Sequence, residues 1–307
     1  MKKLAISFVT YNRPQHIQEY LEYIVKPTLE REIDIYIYDG STNEATKKVV
    51  HNFIDKGYSH LKYFHYEEEQ TIQRVNDAML KPEAEYIWFC GDKFIVNPIN
   101  YDVILDHIDR GYDIITLYNK SLDGIKYSNN CVEYLEYSLV PITQFGATII
   151  KKSNLKEEIP LQYYNNYSGF ARMRYCIDCI TKKNFKGVTL HFKDLNIISR
   201  YPTKSATESR MWEIWVIQWY KMINSLPKSY NNVKDELFNA MDKRMDFFSL
   251  NQLLKQREEN KFDLKMCRQN RKIVKKVICL PYFMVEAISS LTPGMAGMIR
   301  KLLEVCT

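Results

Sequence analysis

Three short runs constrain what this chain can fold into more than anything else in it. Residues 4–13 (LAISFVTYNR), 33–42 (IDIYIYDGST) and 86–94 (YIWFCGDKF) each read as a buried strand that ends in a polar cluster. Near-continuous apolar runs of this length suit strands covered on both faces, as in a parallel sheet flanked by helices. In such open sheets, ligands bind outside the carboxyl ends of the strands. Three polar clusters released at three strand ends converge on one crevice, so a nucleotide-type ligand, and with it an enzyme, is the first expectation.

The pattern between the runs agrees. A helix opened by Pro14 follows the first, because proline is well suited to a first helical turn. A helix over residues 43–56, ended at Gly57, follows the second. Then come a strand at 61–66, a helix at 70–80 stopped before Pro82, a strand at 86–91, a helix at 101–110 and a strand at 113–118. This alternation predicts an α/β fold with a mostly parallel sheet and helices on both faces. Residues 121–152 read as short β-prone runs punctuated by Gly124, Pro141 and Gly146. A helix at 168–183 and a strand pair at 188–198 close a first domain, 1–205. Residues 206–307 read as a helical C-terminal region, with long helices at 206–224 and 230–259.

Composition narrows the class. The seven cysteines are odd in number and scattered through the chain, which suits reduced thiols in a cytoplasmic protein better than a disulfide framework. Cys176 and Cys179 lack the second pair or nearby histidine cluster that a zinc site needs. The chain shows neither a signal-peptide h-region nor the roughly 18 uncharged apolar residues of a membrane span. Six basic residues and no acid fall between Lys265 and Lys276, and apolar segments follow. That combination suits a protein lying on an anionic membrane surface. Helices packed on the first domain, or on a second copy of the chain, are the alternative. No nucleic-acid-binding module is visible.

The residues at the strand ends have the chemistry for a nucleotide. Thr10, Tyr11, Asn12 and Arg13 leave the sheet just before a helix, whose N-terminus favours anions. Arg13 adds a fixed cation suited to phosphate, and Tyr11 can stack on a base. Asp39 follows the alternating Ile33, Ile35 and Ile37, where a carboxylate can accept from a base N–H or a ribose hydroxyl. Gly40 permits a tight turn, and Ser41 or Thr42 can cap the next helix.

Together the segments SFVTYNRP, YDGST and RVNDAM–EYIWFCGD resemble the family-2 nucleotide-sugar glycosyltransferases of the GT-A fold, over residues 4–95 and more loosely to about 200. Within that family the chain is most similar to bacterial enzymes that build capsule, O-antigen or other cell-surface polysaccharides. The resemblance implies transfer of a sugar, with inversion, from a nucleotide-diphosphate donor such as a UDP-sugar. The implied acceptor is a saccharide or lipid-linked saccharide at the inner face of the plasma membrane. It also implies that Thr10, Tyr11, Arg13, Asp39, Gly40, Ser41, Gln70, Arg74 and Asp92 border the donor, with Asp39 at the base or ribose.

The chain departs from the family at the fourth motif. Where the family carries an Asp-x-Asp that binds Mn²⁺ or Mg²⁺, this chain has Gly91-Asp92-Lys93-Phe94, and the resemblance puts Asp92 on the middle position and Lys93 on the main metal-ligand position. Asp92 remains a candidate metal ligand, whereas a lysine offers only donors and repels a hard cation. Either Asp92 anchors a metal with help from the diphosphate and water, or Lys93 neutralises the leaving diphosphate with Arg13 or Arg74 assisting. The second, metal-independent reading is the expectation. No acid opens the helix after Tyr167, which leaves Asp178 within it as the candidate general base and Glu208 as its alternative. The same departures support a second reading, a non-catalytic donor-binding or scaffold subunit of a polysaccharide-synthesis complex.

Overall fold

The computed structural model describes residues 1–67, 70–92, 94–119, 124–197, 199–201 and 210–306, and their side chains up to residue 303. The chain divides into two compact units, residues 1–159 with 175–203, and residues 160–174 with 204–307. A single break near 205 does not contain the crossing of residues 160–174 into the second unit.

The first unit is built on an eight-stranded sheet. Its strands are β1 (Lys2–Thr10), β2 (Asp34–Asp39), β3 (Leu61–His65), β4 (Ala84–Gly91), β6 (Ile114–Tyr118), β7 (Lys126–Ser128), β8 (Thr148–Lys151) and β9 (Gly187–His191). A separate antiparallel pair joins β5 (Ile95–Val96) to β10 (Asn196–Ile197). The order across the large sheet is β3-β2-β1-β4-β8-β6-β9-β7. Strands β1 to β4 are mutually parallel, and β8 and β7 run against their neighbours. Helices α1 (Pro14–Glu30), α2 (Ala45–Asp55), α3 (Thr71–Leu80) and α4 (Tyr101–Asp109) join the early strands, and α5 (Cys131–Ile142) lies between β7 and β8.

Leu4, Ala5, Ile6 and Phe8 of β1, Ile35 and Ile37 of β2, and Tyr86 to Cys90 of β4 are almost fully buried on both faces. Each such aliphatic or aromatic side chain contributes about 1.5–3 kcal/mol by leaving water. A one-residue slip would turn every one of these side chains to the opposite face, so burial fixes the register. That register sets Thr10 beside Asp39 and Val9 beside Gly91. From β1 the chain proceeds to β2 on one side and, later, to β4 on the other. The order therefore reverses between β1 and β4, the position where doubly wound sheets open a ligand crevice.

Two sequence expectations give way. Residues 121–152 are not a run of strands, because α5 occupies 131–142. The Asn130 side chain accepts from the Val132 and Glu133 amides and starts the helix. Leu135, Leu139 and Ile142 then form a buried stripe at helical spacing. The long helix expected at 230–259 is broken into Lys234–Phe238, Ala240–Met245 and Leu250–Glu258. Asp246 adopts a left-handed φ of 55° at the end of the second of these. The Asp242 carboxylate holds the turned chain by accepting from the Phe248 amide at 2.9 Å and the Cys279 amide at 2.7 Å.

The second unit is helical around aromatic contacts, among them stacked Trp212 and Phe262 with ring centroids 4.9 Å apart. Its last helix, Pro293–Cys306, packs its small residues Ala296 and Gly297 inward, and Arg300 bonds Glu258 at 2.8 Å. Met295, Met298, Ile299 and Leu302 fall on the opposite face and are exposed. Among the described residues no helix is long and apolar enough to cross a membrane.

Candidate functional site

The carboxyl ends of β1, β2 and β4 carry one connected polar cluster. Asp92, one residue beyond β4, is 6% exposed. Its Oδ2 accepts from Thr10 Oγ1 at 3.0 Å, and its Oδ1 accepts from Arg13 Nη1 at 2.7 Å. The neighbouring turn is stitched to β1 as well. The Gly40 amide donates to the Thr10 carbonyl at 3.1 Å, the Asn12 amide to Ser41 Oγ at 2.8 Å, and the Thr42 amide to Asn12 Oδ1 at 3.1 Å. Asn12 has a φ of 51°, a left-handed conformation that asparagine tolerates better than most residues. In this conformation it presents both its amide and its side chain to the second strand's turn.

Asp39 is fully buried, and both of its oxygens are engaged. Oδ1 accepts from the Ser41 amide at 2.9 Å and from the Ser41 hydroxyl, while Oδ2 accepts from the Tyr63 hydroxyl at 2.8 Å. The register places Tyr63 two residues before the partner of Asp39 on β3, on the same face of the sheet. Burial pushes the Tyr63 phenol well above its ordinary range, and the bond to Asp39 pushes the same way, so the phenol stays a donor. Asp39 thus acts first as the anchor of the turn: Gly40 and Ser41 are buried with it, and Thr42, Asn43 and Glu44 are the exposed residues of the loop that it holds. A cavity of about 300 Å³ opens there, lined by residues 40–44 and 65–67.

Arg74 closes the cluster from α3. Its side chain is 7% exposed, and Nε and Nη1 have no hydrogen-bond partner. Burial lowers its pKa from the ordinary guanidinium value, against the pull of the negative charges at Asp39 and Asp92, yet an arginine stays protonated in a protein. The guanidinium lies directly over Gly40, where a Cβ would stand 1.3 Å from Nη1. No other residue leaves that space open. A buried cation with unused donors costs several kcal/mol unless an anion arrives to pair with it.

The remaining sequence candidates fall in different places. Tyr11 is 38% exposed at the rim. Gln70 is exposed at the start of α3, where its side chain accepts from the Glu67 amide at 3.0 Å and shapes the loop beside the cavity. Lys93 and Glu208 lie outside the described residues. Asp178 is not brought to the cluster. It sits in the last turn of helix Ala171–Ile180, one turn before Lys182, which bonds Asp113 at 2.6 Å just ahead of the start of β6. β6 runs in the same direction as β4, so Asp178 lies toward the amino edge of the sheet, opposite Asp92. Tyr63 and Thr46, whose hydroxyl lies 3.1 Å from Ser41 Oγ, belong to the site without having stood out in the sequence, and Asn12, already placed at the strand end, gains its role in bridging the two turns.

A divalent cation here would draw on Asp92, the donor diphosphate and water, and would compete with Arg13 for Asp92. Among the described residues no group of three or more His, Cys, Asp or Glu side chains is placed to hold a metal. The one carboxylate in the expected position, Asp92, already pairs with a guanidinium.

No family model matches the sequence, and no curated protein matches it. Solved structures do match. One is residues 1–349 of Staphylococcus aureus TarS in complex with UDP-GlcNAc, at 15% identity and TM-score 0.53 over 90% of this chain and 84% of that one. A second is the mannosyltransferase PcManGT from Pyrobaculum calidifontis in complex with GDP-Man and Mn²⁺, at 12% identity and TM-score 0.57 over 98% and 87%. Against the longer TarS structure this chain spans 54% of the length. The shared architecture is the GT-A fold, an α/β sheet with helices on both faces.

Proposed function

We propose that this chain is a glycosyltransferase that takes a sugar from a nucleotide-diphosphate donor, a UDP-sugar in the first instance. One observation carries the reading: the buried Arg74 guanidinium, whose Nε and Nη1 have no hydrogen-bond partner, lies against Gly40 beside the strand ends that present Arg13 and Asp92. A diphosphate supplies the missing acceptors, and the cavity beside residues 40–44 and 65–67 has room for a nucleobase. The GT-A likeness supports the same use of the crevice, since the TarS and PcManGT structures hold nucleotide sugars. In the reaction, the acceptor hydroxyl oxygen bonds to the anomeric carbon as the bond from that carbon to the diphosphate oxygen breaks. The electron pair leaves on the diphosphate, the hydroxyl proton passes to a carboxylate base, and the anomeric configuration inverts.

A panel of nucleotide sugars tests the donor by thermal melting, because a ligand that binds only the native state raises the melting temperature. UDP-sugars should raise it and support transfer or slow donor hydrolysis. Stabilisation without either reaction would point to the donor-binding subunit reading, and no stabilisation by any nucleotide would contradict both.

The acceptor in this proposal is a growing surface polysaccharide or its lipid-linked precursor, as in capsule or O-antigen synthesis, at the inner membrane face. Support for membrane contact comes from the second unit. Residues 264–307 hold eight basic and two acidic side chains, a surplus equal to the +6 of the whole chain. Met295, Met298, Ile299 and Leu302 form an exposed apolar stripe, and Phe283 is 72% exposed next to Tyr282, whose ring lies under Arg271 and Lys275. An anionic lipid surface meets both features, whereas a second copy would oppose like charges. The chain should cosediment with vesicles rich in phosphatidylglycerol and not with neutral ones, and Met298→Glu with Leu302→Glu should abolish this. Equal binding of the double variant would remove the membrane from the account.

A further inference from the structure

We infer that the Arg13–Asp92 ion pair takes the place of a divalent metal in this site, so that the donor diphosphate is held by the guanidinium groups of Arg13 and Arg74 without a metal ion. The inference rests on the nucleotide-sugar reading above and specifies how that site handles charge.

Asp92 is the one acid in the Gly91-Asp92-Lys93-Phe94 segment that could anchor a metal, yet one of its oxygens accepts from Arg13 at 2.7 Å and the other from Thr10 at 3.0 Å. A cation arriving at Asp92 would have to displace Arg13 or lie against it, and two positive centres at that separation repel strongly in a shielded crevice. The geometry gives Arg13 a different task. A guanidinium has five N–H donors in a fixed plane, and only Nη1 is used on Asp92. The ion pair fixes one end of the guanidinium and leaves its remaining donors, on a side chain 32% exposed, available to a ligand. Arg74 brings Nε and Nη1, both without partners, from the other side of the β1 end. Two guanidinium groups carry the same +2 as one divalent ion, and planar forks match phosphate oxygens two at a time. When the sugar leaves, the electron pair left on the diphosphate oxygen is stabilised by these donors. No bond to either arginine is made or broken, and no proton moves between them and the ligand.

The test is calorimetric titration of UDP, UMP and uridine into the full chain, in EDTA and in excess Mn²⁺, with Arg13→Gln and Arg13→Lys beside the wild type. UDP should bind with the same affinity in both buffers to within about twofold, and more tightly than UMP or uridine. Arg13→Gln can still bond Asp92 but has no charge; it should weaken UDP in EDTA by about tenfold or more and leave uridine nearly unchanged, since only the diphosphate contact is charge-assisted. Arg13→Lys should recover part of the loss. The glutamine variant should also become responsive to Mn²⁺, because Asp92 is then free of a competing cation. Wild-type UDP binding that strengthens more than about tenfold with Mn²⁺ would overturn the inference and leave the glycosyltransferase reading intact. Unchanged UDP affinity in Arg13→Gln would overturn it too. Failure of UDP to bind in either buffer would bring down the nucleotide-sugar reading and this inference with it.

Discussion

Replacing Arg74 with methionine should weaken UDP binding by about a hundredfold or more while leaving the fold as stable as before or more so. The two effects have one cause. In the free protein Nε and Nη1 are buried without hydrogen-bond partners, so the guanidinium bears a desolvation cost that the charges at Asp39 and Asp92 offset only in part. Methionine fills much of the same volume without that cost. In the bound protein each donor that meets a phosphate oxygen makes a charge-assisted bond worth about 1.5–3 kcal/mol, so losing two removes about 3–6 kcal/mol. At about 1.4 kcal/mol per factor of ten, that is at least a hundredfold in affinity. Calorimetry reads the affinity and a thermal melt reads the stability. Opposite movement of the two is the signature of a functional charge held at the expense of stability. A variant that melts earlier and binds UDP normally would show that Arg74 serves the fold and not the ligand.

Asp39→Ala should do the reverse to stability. Asp39 is wholly buried and takes the Ser41 amide, the Ser41 hydroxyl and the Tyr63 hydroxyl. Removing it leaves those donors short of acceptors inside the wall of the crevice, at a cost of about 2–4 kcal/mol and a melting temperature lower by about 5–10 °C. The turn at Gly40 then loses its anchor, and with it the alignment of Gly40 under Arg74. UDP affinity should fall at least as far as in Arg74→Met. Asp39→Asn keeps an acceptor for the Ser41 amide and can donate to the Tyr63 oxygen, so it should recover most of the stability. Equal melting of Asp39→Ala and wild type would mean that the buried carboxylate does not hold the turn.

These two residues also show how far the sequence could be read. Asp39 stood out because it closes the alternating run of Ile33, Ile35 and Ile37, and a carboxylate that ends such a strand has a definite place on the sheet. The sequence did not show that the carboxylate points into the wall. That depends on Tyr63, which sits on a different strand, and strand order cannot be read from the strands themselves. The bridging role of Asn12 was hidden for a similar reason: its positive φ matters only once the turn at 40–42 stands beside it. Arg74 was legible only through family resemblance, since on helical spacing alone it could equally face water. Asp178 was singled out because no acid opens the helix after Tyr167, and the sequence does not show that this helix carries it toward the amino edge of the sheet. The C-terminal helices were overextended because the break at Asp246 is made by Asp242, whose partners at Phe248 and Cys279 are tertiary.

The central claim is that one crevice, at the ends of β1, β2 and β4, holds a nucleoside diphosphate. A crystal structure of the full chain grown with UDP tests it most directly. The account predicts diphosphate oxygens within hydrogen-bond reach of Arg74 Nε or Nη1 and of Arg13, with the uracil in the cavity beside residues 40–44 and 65–67. Nucleotide bound elsewhere on the protein, with the Arg74 guanidinium still unpaired over Gly40, would contradict it.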